Sequence, residues 1–136
     1  MRLANIVCVA LAIASAGCAH RPYAEVTGER TAKSDPREED VLILAVDGLY
    51  RYGGALWENV DPGLRSLVLT TRRGGSNDYG HTSSLVELDA KACMRYQFVA
   101  LHRSAFDTRG WEVVLRKVEP IPGCVAEAPP KPKSDG

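Results

Sequence analysis

The chain has 136 residues, of which 17 are Lys or Arg and 17 are Asp or Glu, so its formal net charge is zero at neutral pH. This length allows a single domain of ordinary size. Because charges of both signs are interspersed, there is no basic excess to recruit nucleic acid, and net charge supports neither a membrane surface nor an acidic partner.

The first 17 residues have the charged, apolar and small-residue order of a secretory signal peptide. Arg2 supplies the charge, an apolar run follows, and Ser15, Ala16 and Gly17 are small. The apolar run has about ten residues, whereas a membrane-spanning helix needs roughly 20, so the segment is a targeting signal rather than a permanent anchor. We therefore expect the mature protein to lie outside the cytosol.

Cys18 directly follows these small residues. The sequence Ser15-Ala16-Gly17-Cys18 resembles the bacterial lipobox, in which the chain is cut before the Cys and its sulfur carries diacylglycerol. The resemblance implies a stable lipid anchor at Cys18. It also implies the outer membrane, since Ala19 stands where lipoproteins of the inner membrane carry Asp. Cleavage after Ala16 is the alternative, and it would leave a soluble periplasmic protein.

Residues 18–40 and 125–136 have the composition of disordered segments. The first is rich in charge, Pro, Ser and Thr, and its only sizeable apolar residues are Tyr23 and Val26. We expect a flexible tether with a reach of about 25 Å; an irregular arm packed loosely on the domain is the alternative. The second is Pro-rich and is predicted to be a solvated tail, or else a peptide ligand for a partner.

Residues 41–124 alternate strand-like runs with turn-forming residues, which predicts an all-β domain. The predicted strands are residues 41–46, 64–71, 81–88, 92–101 and 111–118. In the fourth strand Met94, Tyr96, Phe98 and Ala100 share one face, a period of two. No window has a helical period of useful length.

Cys93 and Cys124 are the two cysteines of this domain, because Cys8 leaves with the signal and Cys18 precedes the domain. In an oxidising compartment this pair predicts one disulfide. An antiparallel hairpin of residues 92–101 and 111–118 would bring the two together. Closing a loop of about 31 residues would stabilise the fold by roughly 3 to 4 kcal/mol. Two reduced, buried cysteines are the alternative.

Two turns frame the first strands of the domain: Val46-Asp47-Gly48 and, after an insert, Val60-Asp61-Pro62-Gly63. This order resembles the PEGA-type surface modules, and the second half is similar to proteobacterial lipoproteins that pair such a module with a cysteine bridge. The resemblance implies a small antiparallel sandwich of immunoglobulin-like or transthyretin-like type. The insert, residues 49–59, is longer here than in that pattern.

The insert contains the candidate binding surface: Tyr50, Arg51, Tyr52 and Trp57. Aromatic and Arg side chains are enriched at interfaces, and exposed rings can also stack on a sugar of cell-wall polysaccharide. The alternative is that the aromatic rings fill one end of the sandwich core, where most aromatic residues of small β domains lie.

The domain contains two histidines, His81 and His102, and neither lies in a metal-ligand pattern. Asp78, His81 and Ser83 are the residue types of a catalytic triad, but they lie too close in sequence to form one across a fold. We therefore predict a non-enzymatic protein without metal or cofactor. The leading hypothesis is a lipid-anchored interaction or accessory module of the cell envelope, with an envelope protein or cell-wall polysaccharide as its candidate partner. A peptidoglycan- or carbohydrate-binding module is the alternative, and a hydrolase is a third.

Overall fold

The computed structural model describes residues 21–30, 35–72, 83–107 and 110–126. Within these ranges the chain forms nine strands: β1 (Ala24–Thr27), β2 (Glu38–Glu39), β3 (Val41–Val46), β4 (Leu49–Ala55), β5 (Trp57–Val60), β6 (Gly63–Thr71), β7 (Ser83–Ala90), β8 (Met94–His102) and β9 (Trp111–Pro120). The predicted signal peptide, Cys18 and residues 127–136 of the predicted tail lie outside the described residues. No helix in the described part of the chain is long and apolar enough to cross a membrane.

The strands form two sheets. In the first sheet β8 is central: β9 pairs along one of its edges, and β1 and β2 pair with its other edge. β5 lies beyond β1, and the β1–β8 pair is parallel while the other pairs are antiparallel. The second sheet has the order β4-β3-β6-β7 and is antiparallel throughout. The predicted all-β sandwich is confirmed.

The core lies between the two sheets and draws on both. The first sheet contributes Ala24, Val26, Val60, Tyr96, Phe98 and Ala100, and the second contributes Val41, Ile43, Val46, Leu67, Leu69, Leu88 and Ala90. Met94 packs against this cluster. The predicted inward face of β8 is therefore confirmed, and the side chains at alternate positions of the first sheet point to its outer face.

The prediction of a flexible tether over residues 18–40 is wrong for its central part. Ala24 and Val26 of β1 are fully buried in the core, and β1 lies between β5 and β8. Two small apolar side chains are enough to order this strand, because β5 and β8 on its two sides supply partners for its backbone hydrogen bonds and extend its apolar face. The folded domain thus begins by Ala24 rather than at Val41.

The predicted hairpin and disulfide are both present. β8 and β9 pair over their whole length, from His102 opposite Trp111 to Met94 opposite Pro120. The sulfur atoms of Cys93 and Cys124 are 2.07 Å apart. Cys93 lies in the turn before β8 rather than inside the strand. Its backbone N–H donates to Tyr23 O at 2.7 Å, and Ile121 N donates to Cys93 O at 2.8 Å, so this turn links the start of β1 to the end of β9.

The insert that was predicted between two turns is a pair of strands. β4 is an edge strand of the second sheet and β5 is an edge strand of the first. Only Leu56 separates them, so the chain passes here from one sheet to the other. This crossing decides where the candidate binding residues lie.

Candidate functional site

The three aromatic residues of the insert are exposed, and the alternative that they fill the core is wrong. The exposed fraction is 77% for Tyr50 and 57% for Trp57, while Tyr52 is fully exposed. Exposed aromatic groups on a small domain are candidates for binding surfaces, because burying them elsewhere would be favourable.

Tyr50 and Tyr52 lie on β4, which has no strand on its outer side in the described structure. Tyr50 is opposite Ala45 and Ala55 is opposite Ile43, so four residues of β4 face the single residue Leu44 of β3. Two glycines with positive φ, Gly53 and Gly54, allow this bulge. The bulge carries Tyr52 away from the sheet. We call the exposed pair Tyr50 and Tyr52 of this edge strand the tyrosine edge.

Arg51 does not share that surface. Its Nη2 and Nε atoms donate to Glu58 Oε1 at 2.6 and 3.1 Å. This hydrogen bond raises the pKa of Arg51 above its ordinary value. Arg51 therefore ties β4 to β5 at the crossing between the sheets.

Trp57 lies on a different surface, the outer face of the first sheet. It is opposite Thr27 of β1, and since Val26 points into the core, Thr27 and Trp57 point outward. Trp57 borders a cleft of about 460 Å³. We call this the Trp57 cleft; its lining residues are Glu25, Thr27, Glu29, Arg30, Trp57, Arg95, Gln97 and Glu119. The four residues of the predicted surface thus belong to three different places.

Ion pairs across three strands form the floor of the cleft. Arg95 of β8 donates to both carboxylate oxygens of Glu25, at 3.1 and 3.2 Å, and lies 3.6 Å from Glu119 of β9. Lys117 Nζ lies 2.5 Å from the other Glu119 oxygen. The hydrogen bond to Glu25 raises the pKa of Arg95, and the hydrogen bond from Lys117 lowers the pKa of Glu119.

Two further polar groups are fixed at the end of the cleft near Trp57. Gln97 is buried, and its Nε2 donates to Glu29 O at 2.7 Å. Arg30 lies 3.8 Å from Asp40, and its backbone N–H donates to the same carboxylate at 3.0 Å. The cleft therefore presents side chains that are already held in place.

No model of a known protein family, no curated protein and no solved structure matches this chain. The site is therefore interpreted from its own geometry alone.

His102 is the one histidine among the described residues, and it is buried at the end of β8. Its Nε2 lies 3.3 Å from Glu39 Oε2, but neither ring nitrogen makes a hydrogen bond in the described structure. Thr71 Oγ1 donates to the same Glu39 oxygen at 2.9 Å. This is not the geometry of an activated nucleophile, because the hydroxyl is bound to the carboxylate rather than to the imidazole. His81 and Asp78 lie outside the described residues.

His102 and Trp111 line a second cavity, of about 620 Å³. The loop that borders it includes residues 108–109, which lie outside the described residues, so we assign it no function. Within the described ranges no group of three or more His, Cys, Asp or Glu is arranged to hold a metal ion.

Sequence reasoning missed every residue of the Trp57 cleft except Trp57 itself. Glu25, Thr27 and Glu29 lie within the predicted tether, and Arg95 and Gln97 lie in the predicted strand 92–101, outside the predicted binding surface. One local signal indicates part of this site. Residues 24–27 alternate between apolar Ala24 and Val26 and polar Glu25 and Thr27, which is the pattern of a short strand.

Proposed function

We propose that the protein is a non-enzymatic, lipid-anchored module of the cell envelope that binds an envelope protein through the tyrosine edge. The observation that carries this proposal is the exposure of Tyr50 and Tyr52 on an edge strand with no covering element among the described residues. Aromatic side chains are the commonest anchors of protein interfaces, and an open strand edge can pair with a partner's strand.

The N-terminal sequence supports the anchored location. Cys18 follows three small residues at the end of an apolar run, which is the pattern of a lipid-modified cysteine. The bridge between Cys93 and Cys124 fits an oxidising compartment. Retention in the outer membrane follows from Ala19 by the resemblance described above.

The anchor is tested by metabolic labelling with a radioactive fatty acid followed by membrane fractionation. We expect label in the wild-type protein, in the outer-membrane fraction, and no label in Cys18→Ser. An unlabelled wild-type protein in the periplasm, with its mature chain starting at Gly17, would instead establish soluble export.

The binding surface is tested by photo-crosslinking in living cells. A photoreactive amino acid at position 52 should give a discrete adduct. The same group at position 64 should not, because Leu64 is also exposed but lies on β6, two strands away from β4. Tyr50→Ala should then reduce the adduct formed from position 52. Equal adducts from positions 52 and 64 would contradict a specific interface.

A further inference from the structure

The outer face of the first sheet carries two rows of side chains that run across its strands. The first row is Trp57, Thr27, Gln97 and Lys117. The second row is Asn59, Glu25, Arg95 and Glu119. Neighbouring strands are about 4.8 Å apart, so a ligand lying across the strands would meet an indole ring and then a series of hydrogen-bonding groups.

Trp57 gives the cleft a large apolar surface. Its indole is more than half exposed although it lies directly beside the polar floor of the cleft. The face of an aromatic ring is electron-rich and attracts the weakly positive C–H groups of a ligand. A sugar ring presents such C–H groups on one side and hydroxyl groups around its rim, so it matches an indole that is bordered by polar side chains.

The polar groups of the cleft are planar and already positioned. The Arg95 guanidinium is held by two hydrogen bonds to Glu25, and Gln97 is held by Glu29 O. The N–H donors and oxygen acceptors that these groups do not use on one another can bind the hydroxyl groups of a ligand. Because they are fixed before the ligand arrives, binding costs little side-chain entropy.

The charges of the cleft favour an uncharged ligand. Each cation at the floor has a carboxylate within 4 Å: Arg95 has Glu25, Lys117 has Glu119, and Arg30 has Asp40. An anionic ligand would have to compete with these carboxylates. A cationic ligand could pair with Glu29, the one lining carboxylate without a cation within 4 Å among the described residues, but it would lie beside the Arg30 and Arg95 guanidinium groups. A ligand with hydroxyl and amide groups but no net charge meets neither cost.

We propose that the Trp57 cleft binds the glycan strand of peptidoglycan, a chain of N-acetylated sugars that is uncharged where its peptides are attached. This inference rests on the envelope location in the proposed function, because peptidoglycan is the glycan that an exported, membrane-anchored domain meets. It assigns the glycan to a surface separate from the tyrosine edge.

The test is retention of the full-length mature protein, in detergent, on purified peptidoglycan sacculi. Trp57→Ala should weaken retention about ten-fold, as expected for the loss of an aromatic anchor. Thr27→Arg, which fills the floor of the cleft beside Trp57, should have the same effect and serves as the second variant. Phe106→Ala, at an exposed aromatic residue outside both the cleft and the tyrosine edge, should leave retention unchanged. Matching thermal unfolding curves would establish that all variants are folded.

Two further arms identify the ligand. A soluble, uncharged oligomer of N-acetylglucosamine should release the protein from sacculi, whereas the free stem peptide should not. Raising the salt concentration about ten-fold should have little effect, since no net charge is neutralised. Release by the stem peptide alone, strong salt dependence, or wild-type retention of Trp57→Ala and Thr27→Arg would each overturn the assignment.

The outcome is separable from that of the proposed function. If fatty-acid labelling of Cys18 fails but sacculi still retain the protein through Trp57, the cleft assignment stands and the anchor does not. If labelling succeeds and retention is independent of Trp57, the anchor stands and the cleft assignment falls.

Discussion

Gly28 is the residue at which the fold tolerates no side chain. A Cβ atom at this position would lie 1.8 Å from Val41 O and 2.6 Å from Val41 C. The backbone cannot move away easily, because Gly28 N donates to Leu56 O at 2.7 Å and Gly28 O accepts from Val41 N at 2.8 Å. Glycine is thus required where three chain segments meet.

We expect Gly28→Ala to lower the free energy of unfolding by about 3 kcal/mol, at the upper end of the cost of overpacking. The control is Gly123→Ala, since Gly123 has a φ of 76° but nothing within 4 Å of the added carbon; it should cost only about 1 kcal/mol. Urea unfolding of the oxidised proteins measures both. An equal loss of unfolding free energy in the two variants would show that the close approach to Val41 does not destabilise Gly28→Ala.

Asp47 at the β3–β4 turn makes stability depend on pH. Its carboxylate accepts Ser66 N–H at 2.9 Å and Arg65 Nη1–H at 2.7 Å. The hydrogen bond from Ser66, followed by that from Arg65, lowers the pKa of Asp47 below its ordinary value of 3.8. A lowered pKa in the folded state stabilises the fold above the ordinary value, and this contribution is lost as the pH falls through the lowered one.

We expect Asp47→Asn to be less stable than wild type at pH 7, and the difference to shrink below about pH 4 until the two coincide. Urea unfolding midpoints across this range provide the measurement. Asp61→Asn removes an equal charge from an exposed position and corrects for the change in net charge. A wild-type advantage that stays constant down to about pH 2 would exclude ionised Asp47 as its source.

At the scale of elements, the β8–β9 hairpin depends on the bridge at its open end. β9 is an edge strand, and its residues Leu115 and Val118 are nearly half exposed. Beyond its last residue the chain turns back, and Cys124 joins Cys93 across a loop of 31 positions. The bridge fixes an end that would otherwise fray.

We expect the Cys93→Ser/Cys124→Ser double variant to lose roughly 3 to 4 kcal/mol of stability, the chain-entropy value for such a loop. Urea unfolding of wild type with and without reductant should give the same loss. Reductant should leave the double variant unchanged. A wild-type unfolding midpoint that is insensitive to reductant would mean that the bridge adds no stability.

The strands that sequence reasoning found are those whose pattern lies within one segment. β3, β6, β7, β8 and β9 each carry a continuous apolar or alternating run bounded by turn residues, so local patterning suffices. β1 was missed because it has four residues, and because its partner β8 lies about 70 positions away along the chain. The alternation of residues 24–27 indicates a strand, but nothing in either segment indicates that the two pair in parallel.

The candidate site could be predicted only in part, for the same reason: it depends on contacts between segments that are far apart in the sequence. The aromatic residues of the insert were found because their composition is local. The sequence did not predict that these residues lie on different surfaces. Their positions depend on the bend at Leu56, which places Tyr52 and Trp57 in different sheets. The floor of the Trp57 cleft needs the register of β1 against β8, which brings Glu25 opposite Arg95.

For the whole molecule, the position of β1 shortens the distance between the proposed anchor and the domain. The chain is fixed to the fold from Tyr23 onward, where the Tyr23 carbonyl accepts the Cys93 N–H. Only residues 19–22 then separate it from Cys18. Fully extended, five residue steps span at most about 17 Å, less than the reach of about 25 Å expected for a 23-residue flexible tether.

With Cys18 lipidated as proposed, we expect the domain to lie within about 17 Å of the lipid headgroups, because the link can span no more than that. Neutron reflectometry of the lipidated protein on a supported bilayer measures this separation. Inserting 20 Gly/Ser residues after Ala19 should open a gap on the order of 25 Å. A gap of that size already present in the wild-type protein would mean that β1 is detached from the sandwich on the membrane, and that the cleft formed by Glu25 and Arg95 is not assembled there.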